Sequence, residues 1–257
     1  MIFKDQLNRT VTLIDEPKRI ISLVPSQTEL LIDLGLKECI VGITKFCVHP
    51  RDLRKEIAVV GGIKTVQYDK ITELNPNLII CNKEENTLAM VQELEKIAPV
   101  WVSDITSFEE SLDMITRLGD LFQVSKKASE IVKSITSEKN TFRLLMETRS
   151  VKKVAYLIWK NPYMAAGSDT FIHSLLKLNN FQNIILEKRY PEVTMKQLKK
   201  ADVVLLSSEP YPFKEADMKE LMESLNVDVI TVDGEFFSWD GSRLKVAFRY
   251  FETLHNR

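Results

Sequence analysis

Two hydrophobic periods alternate along this chain. Continuous apolar runs at 20–24, 39–43, 78–81, 100–102, 154–159, 203–206 and 229–232 predict short strands buried on both faces. Between them, apolar residues recur at helical spacing. Leu30, Leu31 and Leu34 form one such face, Ile71 and Leu74 a shorter one, and 87–98, 170–178, 217–225 and 242–255 read as further helices. Residues 5–14 alternate loosely about Asn8 and Arg9, which predicts a small hairpin. Three capping-box patterns mark helix starts: Ser26 with Glu29, Ser107 with Glu110, and Thr194 with Gln197. Gly35 marks a helix stop.

The order of elements occurs twice. IISLVPSQTELLIDLGL and ITELNPNLIIC in the first copy answer to VAYLIWKNPYMAAGSDTFIHSLLKLNNF and MKQLKKADVVLLS in the second. Between the copies, Leu112, Ile115, Leu118 and Phe122 line one helix face, and a segment without Pro or Gly follows from Ser125 to about Arg149. A continuous helix of about 25 residues would be about 37 Å long. Its position predicts a strut. The expected fold is α/β, with two Rossmann-like lobes of mostly parallel sheet joined by one long rigid α-helix. The expected lobes are 1–105 and 151–257, with a helical linker at 106–150. Two lobes imply a cleft, and clefts between lobes take small ligands.

Composition narrows the function classes. The chain has 257 residues, 44% apolar and 28% charged, with net charge −1 from 35 basic and 36 acidic residues. That balance gives no general pull toward nucleic acid or a membrane surface. No apolar run is long enough to span a bilayer, and the N-terminus has no leader-like apolar stretch. If Met1 is the native start, the expectation is a cytoplasmic protein. Cys39, Cys47 and Cys81 read as free thiols.

Catalytic patterns are absent: no G-x-S-x-G, phosphate-binding loop or GxGxxG occurs. His49, His173 and His255 are too few for a His-rich metal cluster, and Cys47 with His49 supplies two ligands where a closed site needs four. The chain reads as no enzyme, with no metal site and no cofactor of its own. Gly61-Gly62 reads as a turn. Candidate binding residues instead follow the strands, where open α/β sheets receive ligands. In the first lobe these are Pro25, Ser26 and Gln27, Lys45 and Phe46, Lys64, and Lys83 to Glu85. In the second they are Trp159, Lys160, Pro162 and Tyr163, Arg189 and Tyr190, Ser208 and Glu209, and the run Glu235-Phe-Phe-Ser-Trp239. Six aromatic side chains, Trp159, Tyr163, Tyr190, Phe236, Phe237 and Trp239, suggest a wall for a flat, partly apolar ligand.

With RIISLVPSQTELLIDLG, VVGGIKTVQYDKITELNPNLIIC and YPEVTMKQLKKADVVLLS in this order, the chain resembles the substrate-binding proteins of cobalamin and iron-siderophore ABC importers, the helical-backbone group of periplasmic binding proteins. The resemblance covers essentially the whole chain. It implies a non-enzymatic, monomeric protein that holds a corrinoid between its lobes for an ABC permease, with an iron siderophore or haem as the variant ligand. The ligand itself would be a metal chelate, and nucleic acid is no partner. The implied ligand contacts are Pro25, Ser26, Phe46, Lys64, Trp159, Tyr163, Arg189, Tyr190, Phe236, Phe237 and Trp239. Tyr190 falls where cobalamin binders carry a tryptophan, and Arg189 and Arg243 are the arginines a siderophore would use. The resemblance also implies a periplasmic location and an acidic permease contact on each lobe. The first such position reads Asp69; the second reads Lys196, with Glu192 nearby. A lysine there would repel a permease arginine, which leaves a cytoplasmic corrinoid carrier or sensor as the rival expectation.

Overall fold

The computed structural model describes residues 1–256 and divides into two compact units. The first comprises Met1–Asp104, Glu109–Ile135 and Asp240–Arg243. It opens with a hairpin, β1 (Ile2–Lys4) and β2 (Thr10–Thr12), turning through Asn8 at φ 60°. Then follow β3 (Ile20–Ser22), α1 (Pro25–Asp33), β4 (Ile40–Ile43), α2 (Leu53–Glu56), β5 (Ala58–Val59), α3 (Tyr68–Glu73), β6 (Leu78–Asn82), α4 (Leu88–Leu94) and β7 (Val100–Ser103). The strands from β3 on form one parallel sheet in the order β5-β4-β3-β6-β7. β6 is buried along its whole length, which is why residues 78–81 read as an unbroken apolar run. Its core joins Ile21, Leu23, Ile79 and Cys81 to Ile71, Met90, Val91 and Leu94 from the helices.

Two helices follow, α5 (Phe108–Leu121) and α6 (Ser125–Met146). At 22 residues α6 is about 33 Å long, and the chain passes from one unit to the other within it, after Ile135.

The second unit comprises Ile105–Phe108, Thr136–Trp239 and the residues from Leu244 on. Its elements are β8 (Lys152–Trp159), β9 (Met164–Ala165), α7 (Phe171–Leu178), β10 (Phe181–Asn183), α8 (Met195–Leu198), β11 (Val203–Ser207), α9 (Glu215–Leu225), β12 (Asp228–Val232), α10 (Glu235–Ser238) and α11 (Leu244–His255). The parallel order is β10-β8-β11-β12, with β9 antiparallel on β8. Its own core gathers Ala155, Leu157, Val204, Leu206, Leu198 and Leu221. Phe142, Phe248 and Phe251 pack as an aromatic cluster with ring centroids 5.6–6.1 Å apart.

The two sheets share a topology. β3 and β8 stand at matching places, each with the next long strand on one side (β4, β10) and the later strands on the other (β6 and β7, β11 and β12). Strand order therefore reverses between β3 and β6 in one unit and between β8 and β11 in the other. Outside the carboxyl ends of such switch points, open α/β sheets receive ligands.

The capping patterns fared unequally. Thr194 and Gln197 form the full reciprocal box at α8, and Thr87 and Thr170 cap α4 and α7. Ser26 does not cap α1. Pro25 takes the first turn, where its missing N–H costs nothing, and Ser26 lies inside the helix with its hydroxyl turned elsewhere.

Candidate functional site

At the switch point of the first unit, β3 ends and the chain runs through Leu23 and Val24 into α1. Ser26 Oγ donates to Asp240 Oδ1 at 2.9 Å, and both residues are buried. Burial pushes the Asp240 carboxyl up to about 7; the Ser26 hydrogen bond works against this and the Glu85 carboxylate adds to it. One turn on, Glu29 receives both arms of Arg243, Nε at 2.9 Å and Nη2 at 3.0 Å. Burial still raises the Glu29 carboxyl, more than Arg243 lowers it. The glutamate expected in a capping box is thus half of an ion pair, and the arginine expected to meet a siderophore is the other half. Gly241 N–H donates to Ser111 Oγ, so Asp240–Arg243 is clasped to the first unit through three polar contacts.

The neighbouring loops carry Phe46 and Lys64. Phe46 is exposed, with Lys45 Nζ 5.1 Å from its ring centroid. Gly61 sits at φ 129°, and a Cβ there would stand 2.6 Å from the Thr65 carbonyl, so this turn needs glycine. Lys64 Nζ donates to the Glu84 carbonyl, and Asn86 Nδ2 to the Ile63 carbonyl at 2.9 Å, which ties the loop after β5 to the loop after β6.

The second unit presents a different chemistry. Trp159 closes β8, 40% exposed, and meets the Tyr211 ring edge-on at 5.7 Å. Tyr163 is half-buried. Lys160 is gripped by Asp217 at 2.8 Å and Glu220 at 2.7 Å, which hold its ammonium strongly protonated. Arg189, at φ 65°, points Nη1 toward the Asp169 carbonyl at 3.4 Å, and its own carbonyl accepts from Gly167 N–H. Tyr190 beside it is half-buried.

The aromatic run at 235–239 is not a loop. It forms the single turn α10, which sorts its side chains. Phe236 stays half-buried and stacks on Tyr250 at 4.5 Å. Phe237 is fully buried between Tyr156 at 5.1 Å and Phe251 at 4.7 Å. Trp239 is 8% exposed and donates its indole N–H to Glu209 Oε1 at 3.1 Å. Phe237 therefore belongs to the core rather than to a wall, and Trp239 offers little surface. Trp159, Tyr163, Tyr190 and Phe236 retain theirs.

Asp69 and Lys196 take the same place in the repeat, each the second residue of the short helix before β6 or β11, and each is exposed. Glu192 is exposed just upstream of α8. Among the described residues no three His, Cys, Asp or Glu side chains gather to hold a metal, and no helix is long and apolar enough to cross a membrane. Cys39, Cys47 and Cys81 are free thiols; Cys47 and Cys81 are buried, and burial raises both. A surface groove of about 450 Å³ lies along Thr10, Thr12, Glu95 and Val100. It borders the amino end of β7, away from the switch-point loops.

Three polar features escaped the sequence reading as a site: the Ser26–Asp240 pair, the Glu29–Arg243 pair, and Glu209 as the acceptor for Trp239. Asp240 lies between the aromatic run and the last helix and carries no local pattern, so only Ser26, 214 residues upstream, marks it.

Comparison with known proteins bears on the whole fold. Residues 20–235 match the family model of the periplasmic binding proteins. The chain is 30% identical over 187 residues to YvrC of Bacillus subtilis, an uncharacterized ABC transporter substrate-binding lipoprotein, covering 70% of this chain and 59% of that relative's length. It is 22% identical over 235 residues to the vitamin B12-binding protein of Yersinia pestis, covering 90% and 83% of the two. The periplasmic heme-binding protein of Pseudomonas aeruginosa superposes with a TM-score of 0.79 at 17% identity, over 93% of each chain. With its two parallel sheets of matching strand order, its long α6 and a family match through both of its units, the chain belongs to the periplasmic binding protein family.

Proposed function

We propose that this protein is the solute-binding component of an ABC importer and that its ligand is a corrinoid, held by the loops that follow the strands. One observation carries the choice of ligand. The strand-end loops offer aromatic surface at Trp159, Tyr163, Tyr190 and Phe236, while four of their cations are engaged by oxygens within the protein and Lys45 lies over the Phe46 ring. Arg243 lies on Glu29, Lys160 on Asp217 and Glu220, Lys64 on the Glu84 carbonyl, and Arg189 on the Asp169 carbonyl. A ferric siderophore or haem presents anionic groups that call for available arginines or lysines. A corrinoid presents a flat ring with neutral amide arms, which suits aromatic contact and few charges.

Titration of the purified chain with dicyanocobinamide, cyanocobalamin, haemin and a ferric hydroxamate tests this. Micromolar or tighter binding of a corrinoid, with haemin and the siderophore at least tenfold weaker, is the expected result. Binding of haemin or siderophore alone overturns the ligand, and binding of none overturns the reading. Trp159→Ala is expected to weaken corrinoid binding about tenfold with little change in stability, since the side chain is 40% exposed.

The rival reading, a corrinoid carrier that docks no permease, draws on Lys196, because the first turn of α8 carries no acid. Fractionation of native cells decides: an exported or lipid-anchored protein ends the carrier reading.

A further inference from the structure

We propose that Glu209 selects the ligand by its rim, accepting ligands edged with neutral hydrogen-bond donors and rejecting those edged with carboxylates. The inference rests on the corrinoid reading and adds a specificity residue to it.

Placement comes first. Glu209 follows β11 by two residues, at the carboxyl end of the switch point between β8 and β11. Trp159 ends β8, and Tyr211, two residues beyond Glu209, meets its ring. On the other side, Ser238 Oγ donates to Oε1 at 2.5 Å and the Trp239 indole donates to the same oxygen at 3.1 Å. Its backbone N–H reaches Ser207 Oγ at 3.3 Å. Gly234 makes the room: a Cβ there would lie 2.4 Å from Ser207 Oγ and 2.6 Å from Glu209 Cγ. A carboxyl is thus fixed among aromatic side chains by one oxygen.

Charge comes second. The donors that hold Glu209 are neutral. The charged groups that perturb it are Glu235 and Asp233, both acids, and no base is among them; burial raises it most. The Tyr156 phenol also feels Glu209 and is itself buried and bonded to Ser207 Oγ. The nearby base Lys160 is engaged by Asp217 and Glu220. A second carboxylate brought to this place meets like charge in a poorly solvated setting, and one of the two must take up a proton. A primary amide meets an acceptor when Glu209 is ionised and a donor when it is protonated.

The test uses the full chain and two probes of one ring, dicyanocobinamide with its amide rim and dicyanocobyrinic acid with its carboxylate rim, at pH 8 and pH 5.5. The wild type is expected to prefer cobinamide at least tenfold at pH 8, and severalfold less at pH 5.5. In Glu209→Gln the preference should fall near unity, and its remaining pH dependence should report only the probe's own titration. If cobinamide binds but the preference is unchanged in the variant, Glu209 is not the selector and the corrinoid reading stands. If neither probe binds, the corrinoid reading falls and the inference falls with it. Should the variant not fold, the wild type decides: a preference that is flat between the two pH values overturns the proposal.

Discussion

The loops that follow β3 and those that follow β8 and β11 hang on the same sheet topology and do opposite things with their side chains. After β3 the chain is polar and internally matched. Ser26 meets Asp240 and Glu29 meets Arg243, partners delivered from 214 residues away. After β8 and β11 the side chains are largely aromatic, and the acid Glu209 is held by neutral donors. The repeat explains the frame and says nothing about the loops. Sheets must satisfy backbone hydrogen bonds and pack apolar faces, whereas strand-end loops are bound by neither demand and can diverge.

The largest way to break this comparison is through pH. Asp240 is buried deeply enough that its carboxyl rises to about 7 from an ordinary 3.8. Between those values the folded protein holds a proton that the unfolded chain has released. Stability from this group is therefore full below about pH 4 and is lost as pH climbs to about 7, on the order of 4 kcal/mol in all. Asp240→Asn keeps an acceptor for Ser26 and removes the titration. Urea midpoints of wild type and variant, measured from pH 4 to 8, should diverge over that window. Parallel curves would mean that Asp240 is ionised without penalty and that the loop after β3 is as open as the others.

Next in size is the turn at Gly61. Alanine there must hold φ 129° with its Cβ against the Thr65 carbonyl, and about 3 kcal/mol of destabilisation is expected. Gly234→Ala in the second unit has its two shortest contacts to side-chain atoms of Ser207 and Glu209, with the Glu209 backbone nitrogen farther off at 3.1 Å, so a smaller loss of about 1–2 kcal/mol is expected, with the position of Glu209 disturbed. Equal losses for the two variants would show that the loop carrying Glu209 is as rigid as the glycine turn.

Arg243→Ala should cost about 2 kcal/mol, because it leaves the partly buried Glu29 without its cation. Adding Glu29→Ala should recover part of that loss. A double variant no better than the single one would show that Arg243 acts by packing alone.

Much of this was legible in the residues, and the limits have physical reasons. Strands buried on both faces read as apolar runs, so β3, β4, β6, β7, β8, β11 and β12 were found at nearly their observed places. α6 was found because helical spacing ran on without Pro or Gly. Two- to four-residue elements such as β5, β9, α2 and α10 carry too few residues to show a period. Missing α10 had a consequence: Phe236, Phe237 and Trp239 looked equivalent in a loop, while one helical turn buries Phe237 and leaves Phe236 half-buried. Ser26 looked like a cap because Glu29 stood three residues on, but Pro25 took the first turn and long-range partners took both side chains. No local pattern reports that the chain returns to the first unit for Asp240–Arg243.

The smallest effects test the two helices that the repeat makes equivalent. α3 carries Asp69 in its first turn and α8 carries Lys196 in the same place. An acid is favoured at a helix start and a base disfavoured, by a few tenths of a kcal/mol on an exposed surface. Asp69→Lys should therefore destabilise by about 0.5 kcal/mol at low salt, with the shift vanishing at 1 M salt, whereas in the four-residue α8 Lys196 lies in the last turn as well as the first and Lys196→Glu should change stability by less. If Lys196 faces a partner, its charge matters there: Lys196→Glu should change the salt dependence of association with the cognate permease in proteoliposomes by far more than it changes folding. An unchanged association would assign Lys196 to the solvent, and the asymmetry between α3 and α8 to drift on an unused surface.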